Sequence, residues 1–151
     1  MPDNKGYTVI ETFIALLIFF AAVSAVLYVY SIDYALYIDN NNRVEVQENM
    51  RIALKKMYRG VRQAGSVISC SDTELILEPA PDDNVRGFRY DHAGKEVEVN
   101  VGGVYLPVAS QITYLHFDYS AESRVLKITI NGQKGNSGML EMSTSVQLRA
   151  D

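Results

Sequence analysis

The chain has no second cysteine. Cys70 stands alone among 151 residues, so no intramolecular disulfide can staple the fold, and its thiol is expected to be buried or incidental. The chain has only two histidines, His92 and His116, far apart and without the spacing of a zinc or haem site. Both are expected as ordinary strand or turn residues, and no metal or cofactor is expected. A Gly-rich phosphate loop, a GxSxG elbow and an HExxH pair are all missing from the sequence. No acid, base and nucleophile set can be assembled from spacing, so no enzymatic activity is expected. Basic excess is also absent: the formal charge is -4, which supplies no electrostatic reason to bind nucleic acid or anionic lipid.

Charge is missing most conspicuously from Thr12 to Ile32, where the only ionisable side chains are tyrosines. About 20 apolar residues suffice to cross a bilayer, and residues 7–32 are read as a membrane-spanning helix. Glu11 interrupts the start of this run. An acid inside the hydrocarbon costs roughly 2.5 to 3.5 kcal/mol on insertion scales, so it marks either a specific partner or escape to the headgroups. Lys5 precedes the span, whereas Asp33 and Asp39 follow it. Positive charge stays on the cytoplasmic side, which places the N-terminus in the cytoplasm and exports the remainder. Val23-Ser24-Ala25 would pass as the cleavage site of a secretory signal, but Glu11 falls where the apolar centre should begin, and apolar character continues through Tyr30. A plain signal anchor accounts for the span and leaves Glu11 no role beyond snorkelling.

Helical periodicity continues past the span. Val46, Met50, Ala53, Met57, Val61 and Ala64 recur every three or four residues with charges between them, predicting an amphipathic helix over 33–64 whose apolar stripe, both methionines included, enters a core. Gly65 is a stop, and Arg59 and Arg62 suit the negative end of the helix dipole. Asp39-Asn40-Asn41-Asn42 is the weakest stretch and the expected place for a bend, because Asn and Asp form helix poorly. Tyr30, Tyr34 and Tyr37 lie where the helix leaves the apolar zone, as an interfacial aromatic belt does.

After Gly65 the pattern becomes short β-rich runs, among them Glu74 to Glu78, Val85 to Tyr90, Glu96 to Val101 and Val104 to Val108. The clearest unit is a hairpin turning at Ala121-Glu122-Ser123-Arg124, in which Leu115, Phe117 and Tyr119 face Leu126, Ile128 and Ile130. A last strand is predicted from Leu140 to Leu148. The fold class is therefore α+β: a long N-terminal helix whose second half packs on a small antiparallel β-sheet domain, residues 65–151. Asp82-Asp83-Asn84 reads as a solvated turn rather than a calcium loop, for want of spaced ligands. Arg86 and Arg89 interleave with Phe88 and Tyr90, a composition that can bind single strands, but strand alternation puts the two kinds on opposite faces.

Lys5-Gly6-Tyr7-Thr8-Val9-Ile10-Glu11, followed at once by the apolar run, closely resembles the prepilin signature of type IV pilins and type II secretion pseudopilins, usually Gly-Phe-Thr-Leu-Ile-Glu. The helix end MRIALKKMYRGVRQAGS, then LPVASQITYLHFDYS, then STSVQLRAD are similar, more loosely, to the PilW- and GspJ-like branch of minor pilins. Tyr28 stands where many major pilins have a kinking proline, and the paired cysteines of their carboxyl-terminal loop are absent.

The resemblance implies a pilin-like fold and a six-residue leader, 1–6, removed by a prepilin peptidase between Gly6 and Tyr7, with methylation of the new Tyr7 amine. It implies that Glu11 is an assembly residue, seeking the Tyr7 amine of its own chain one helical turn away or that of a neighbour. The implied partners are other major and minor pilins or pseudopilins and an inner-membrane assembly platform. The implied location is the inner membrane, crossed once, with an extracytoplasmic head that enters a pilus or pseudopilus. Two readings of other classes stand beside it: a membrane-anchored binding subunit for DNA uptake or a secreted substrate, and an exported enzyme.

Overall fold

The computed structural model describes residues 8–79 and 84–148. One helix, α1 (Val9–Gln63), is followed by β1 (Ser66–Cys70), β2 (Glu74–Glu78), β3 (Val85–Asp91), β4 (Glu96–Val101), β5 (Val104–Ala109), β6 (Ile112–Ser120), β7 (Val125–Gly132) and β8 (Leu140–Gln147). The chain forms two compact units, Met1–Ile38 and Asp39–Asp151. The boundary falls at the Asn-rich stretch, yet Asn40 to Asn42 remain helical.

In the first unit every described side chain is exposed, including Phe13, Leu17, Phe20 and Leu27. The helix is long and apolar enough to cross a membrane, and none of its most apolar stretch is buried within the protein. An apolar side chain loses about 1.5 to 3 kcal/mol when left in water rather than buried, so this surface calls for an apolar environment. Even its serines turn inward: Ser24 Oγ donates to the Phe20 carbonyl and Ser31 Oγ to that of Tyr28, each at 2.7 Å. Such back-bonding satisfies a hydroxyl without water.

In the second unit the remainder of α1 buries the stripe Val46, Met50, Ala53, Met57 and Val61, as its period predicts. Gly60 shares that face, and a Cβ placed there would lie 2.8 and 2.9 Å from the Phe88 ring. Glycine at mid-helix costs about 1 kcal/mol relative to alanine, and here its missing side chain admits the aromatic ring of β3.

The strands form two antiparallel sheets, β1-β2-β3-β4-β5 and β6-β7-β8. Leu115 pairs with Ile130, Phe117 with Ile128 and Tyr119 with Leu126, matching the expected hairpin. β1 is an addition to the sequence expectation. Its residues are half-buried or exposed, so it lacks the alternation that would reveal it. The register between β3 and β4 shifts near Gly87. Its φ is 153°, and a Cβ at this position would lie 2.1 Å from the Leu75 carbonyl oxygen, so no side chain fits.

Three polar contacts close the unit. The Ile112 N–H donates to Lys95 O (3.0 Å) and the Phe117 N–H to Asp72 O (3.1 Å), joining the sheets. The Tyr90 hydroxyl donates to Ile112 O across the core at 2.9 Å.

Candidate functional site

The start of α1 is built from Thr8 and Glu11. The Thr8 N–H donates to Glu11 Oε2 (3.1 Å) and its hydroxyl lies 3.4 Å from the same oxygen, while the Glu11 N–H donates back to Thr8 Oγ1 at 3.3 Å. This reciprocal arrangement is a capping box, with Thr8 as N-cap and Glu11 three residues on. It satisfies helix-start donors that have no intrahelical acceptor, and a cap of this kind contributes about 1 kcal/mol. The Glu11 charge also sits at the favourable end of the helix dipole.

Glu11 thus has a partner beyond those expected from the sequence. Thr-x-x-Glu ahead of an apolar run is the corresponding signal, and it overlaps the prepilin-like motif. Among the described residues, the other carboxylate oxygen accepts no hydrogen bond and Glu11 makes no ion pair. Residues 1–7, with Gly6 and Tyr7 among them, lie outside the described residues. So do Asp82 and Asp83.

The head presents two polar clusters. Between β1 and β6 lies an open cleft of about 450 Å³ bordered by Cys70, Asp72, His116 and Tyr119. Burial first, then the Asp118 and Asp72 carboxylates, push the Cys70 thiol upward, which disfavours the reactive thiolate. His116 Nδ1 is 3.7 Å from Asp72 Oδ1. Among the described residues no three His, Cys, Asp or Glu side chains gather as a metal site. His92, in the turn after β3, packs edge-on to Tyr90 at 4.5 Å.

On the outer face of the larger sheet, Arg89 Nε meets Glu98 Oε2 at 2.5 Å, and the guanidinium lies 3.7 Å from the Tyr105 ring centroid. The Tyr105 hydroxyl donates to Glu74 Oε1 at 2.8 Å. The Glu98 contact, then its charge, raises the Arg89 pKa against the opposing effect of burial. Phe88 and Tyr90 are buried on the opposite face. Arg89 is therefore engaged within the sheet by Glu98 and Tyr105, and it does not share a face with Phe88 and Tyr90.

The geometry defines a class: an α+β chain with one potential membrane span, capped at its start by Thr8 and Glu11, and a two-sheet head. Comparison with protein families, with curated proteins and with solved structures returns no match for this chain.

Proposed function

We propose that this chain is a non-catalytic assembly subunit, a PilW-like minor pilin that initiates or caps a type IV pilus after prepilin peptidase processing. The single observation that carries the reading is a carboxylate held in the first turn of a helix whose following stretch, residues 12–32, carries no other charge and is wholly exposed. Such a helix has two environments open to it, a bilayer or the packed helices of a filament, and a carboxylate at its start suits a transfer between them. In the membrane Thr8 shields one oxygen of Glu11. In a filament the second oxygen meets an amine, that of processed Tyr7 on its own or an adjacent subunit. In low dielectric this pairing selects register more than it adds stability. The inner-membrane location, the cytoplasmic N-terminus and the assembly-platform partner belong to the same proposal.

A GspJ-like pseudopilin of a type II secretion system shares each of these features. Covalent crosslinking in cells separates the two through the identity of the recovered subunits. The assembly role itself is tested by Glu11→Ala. The variant is processed normally, remains in the membrane fraction and is depleted from sheared filaments. Wild-type incorporation of that variant would contradict the assignment of Glu11 to assembly.

A further inference from the structure

The formal charge of -4 is unevenly divided over the head. From Arg51 to Gln63 the chain has five cations and no acid. Arg51, Lys55, Arg59 and Arg62, spaced by four, four and three, form one exposed stripe with Tyr58. It runs along the side of α1 opposite the buried stripe from Val46 to Val61. Arg62 meets the Tyr58 hydroxyl at 3.3 Å and its ring at 5.7 Å, and among the described residues no cation of the stripe has an acidic partner. Lys55, Tyr58, Arg59 and Arg62 border an open depression of about 720 Å³.

The larger sheet carries the opposite charge on its far side. Phe88 of β3 turns inward to Gly60 of α1, so Arg89 and the residues aligned with it turn away from the helix. That outer face holds Glu74, Glu78, Asp91, Glu96 and Glu98 against Arg86 and Arg89, and Arg89 is already matched by Glu98. Three of the remaining carboxylates are fixed by neutral donors. Glu74 accepts from the Tyr105 hydroxyl and Glu78 from the Ser66 hydroxyl, each at 2.8 Å, and Asp91 accepts from the Ala93 and Gly94 N–H groups at 3.0 and 3.1 Å. Such bonds hold each carboxylate in place without cancelling its charge.

We propose that the chain associates head-to-tail with a second copy of itself, the cationic stripe of α1 on one copy docking on the acidic sheet face of the next. The two faces look in opposite directions from one core, so a translation without rotation brings one against the other. Every part of the second copy then stays parallel to its counterpart, and both apolar helices keep the same sense, as one membrane requires. The charge spacings agree. Arg51 and Arg59 lie about 12 Å apart along the helix at 1.5 Å per residue. Glu74 pairs with Arg89 and Arg89 with Glu98, so Glu74 and Glu96 are two strands and two residues apart, also about 12 Å. Each face carries a partly exposed apolar side chain, Tyr58 and Ile76, and carboxylates already held in place lose little freedom on docking. Because the contact is heterologous, each docked copy leaves one face free, and the association extends as a row. It uses only the unit Asp39–Asp151 and requires neither processing nor a filament, so it stands or falls apart from the proposed function.

The test is zero-length carbodiimide crosslinking of the full chain in excess detergent micelles at low salt. Wild type gives dimers in which Lys55 or Lys56 is joined to a carboxylate of the outer sheet face, and their yield falls as salt is added. Arg51→Glu with Arg59→Glu, or Glu74→Lys with Glu96→Lys, each lowers the yield about tenfold, since like charges then face each other. An equal mixture of the two variants restores it, because each supplies the intact face that the other lacks, and the restoration also shows that both are folded. A monomeric wild type would overturn the proposal and leave the stripe to an acidic partner of another kind. Indifference to charge reversal would overturn it and assign association to the apolar helices, and so would a mixture that yields no more dimer than its parts.

Discussion

Glu45 of α1 and Lys134 of the β7–β8 connection, 89 residues apart, form an ion pair of 2.6 Å. Gln111 Nε2 donates to the other Glu45 oxygen at 2.6 Å, so one carboxylate fastens the helix to two loops of the head. Lys134 first, then Gln111, hold the Glu45 pKa below its ordinary 4.5. A depressed carboxylate contributes stability above its unfolded pKa and loses it as pH falls through the lower folded value. The melting temperature of Glu45→Gln is therefore expected below wild type at pH 7, with the difference shrinking as pH falls below about 4.5. Both side chains are about two-fifths exposed, so high salt narrows the difference. A pH-independent difference would contradict the account.

Gly60→Ala adds a good helix former and is nonetheless expected to destabilise the head. The new methyl meets the Phe88 ring at 2.8 Å, and overpacking costs about 1 to 3 kcal/mol against about 1 kcal/mol gained in propensity. Denaturant unfolding of the full chain measures the loss. Phe88→Leu in the same chain relieves it in part, and strict additivity of the two changes would argue against their contact.

At the helix start, Thr8→Ala removes the cap while leaving the Glu11 carboxylate in place. Helix stability at the first turn falls by about 0.5 to 2 kcal/mol, read as faster amide hydrogen exchange at Glu11 and Thr12. Unchanged exchange would mean that Thr8 does not cap the helix.

The Cys70 thiol, raised above its usual range by burial and by Asp118 and Asp72, is expected to alkylate slowly at pH 7 and faster as pH rises. Asp118→Asn lowers the thiol pKa and speeds the reaction. A rate equal to that of the denatured chain would contradict the environment described.

Much of the fold could be read from residue spacing. The stripe from Val46 to Val61 repeats at helical period, and the hairpin alternates over Leu115 to Tyr119 and Leu126 to Ile130 because one of its faces enters the core. β1 was illegible because Ser66–Cys70 has no buried face to generate a pattern. The sequence gives no sign of the role of Gly60, since it does not disclose that Phe88 approaches from 28 positions away. The Glu45 contacts were hidden for the same reason, their partners being distant in the chain. At the helix start the opposite happened: Thr-x-x-Glu carries a cap and a processing-like motif in the same letters, and the second concealed the first.

The central claim is that this chain begins its working life at Tyr7, with Glu11 at the start of an assembly helix. Intact mass and N-terminal sequencing of protein recovered from cells with an active prepilin peptidase measure this directly. The account predicts a mature chain that starts at Tyr7 and carries one added methyl group on its amine. A chain still starting at Met1, or one starting at Val26 after signal-peptide removal, would contradict it.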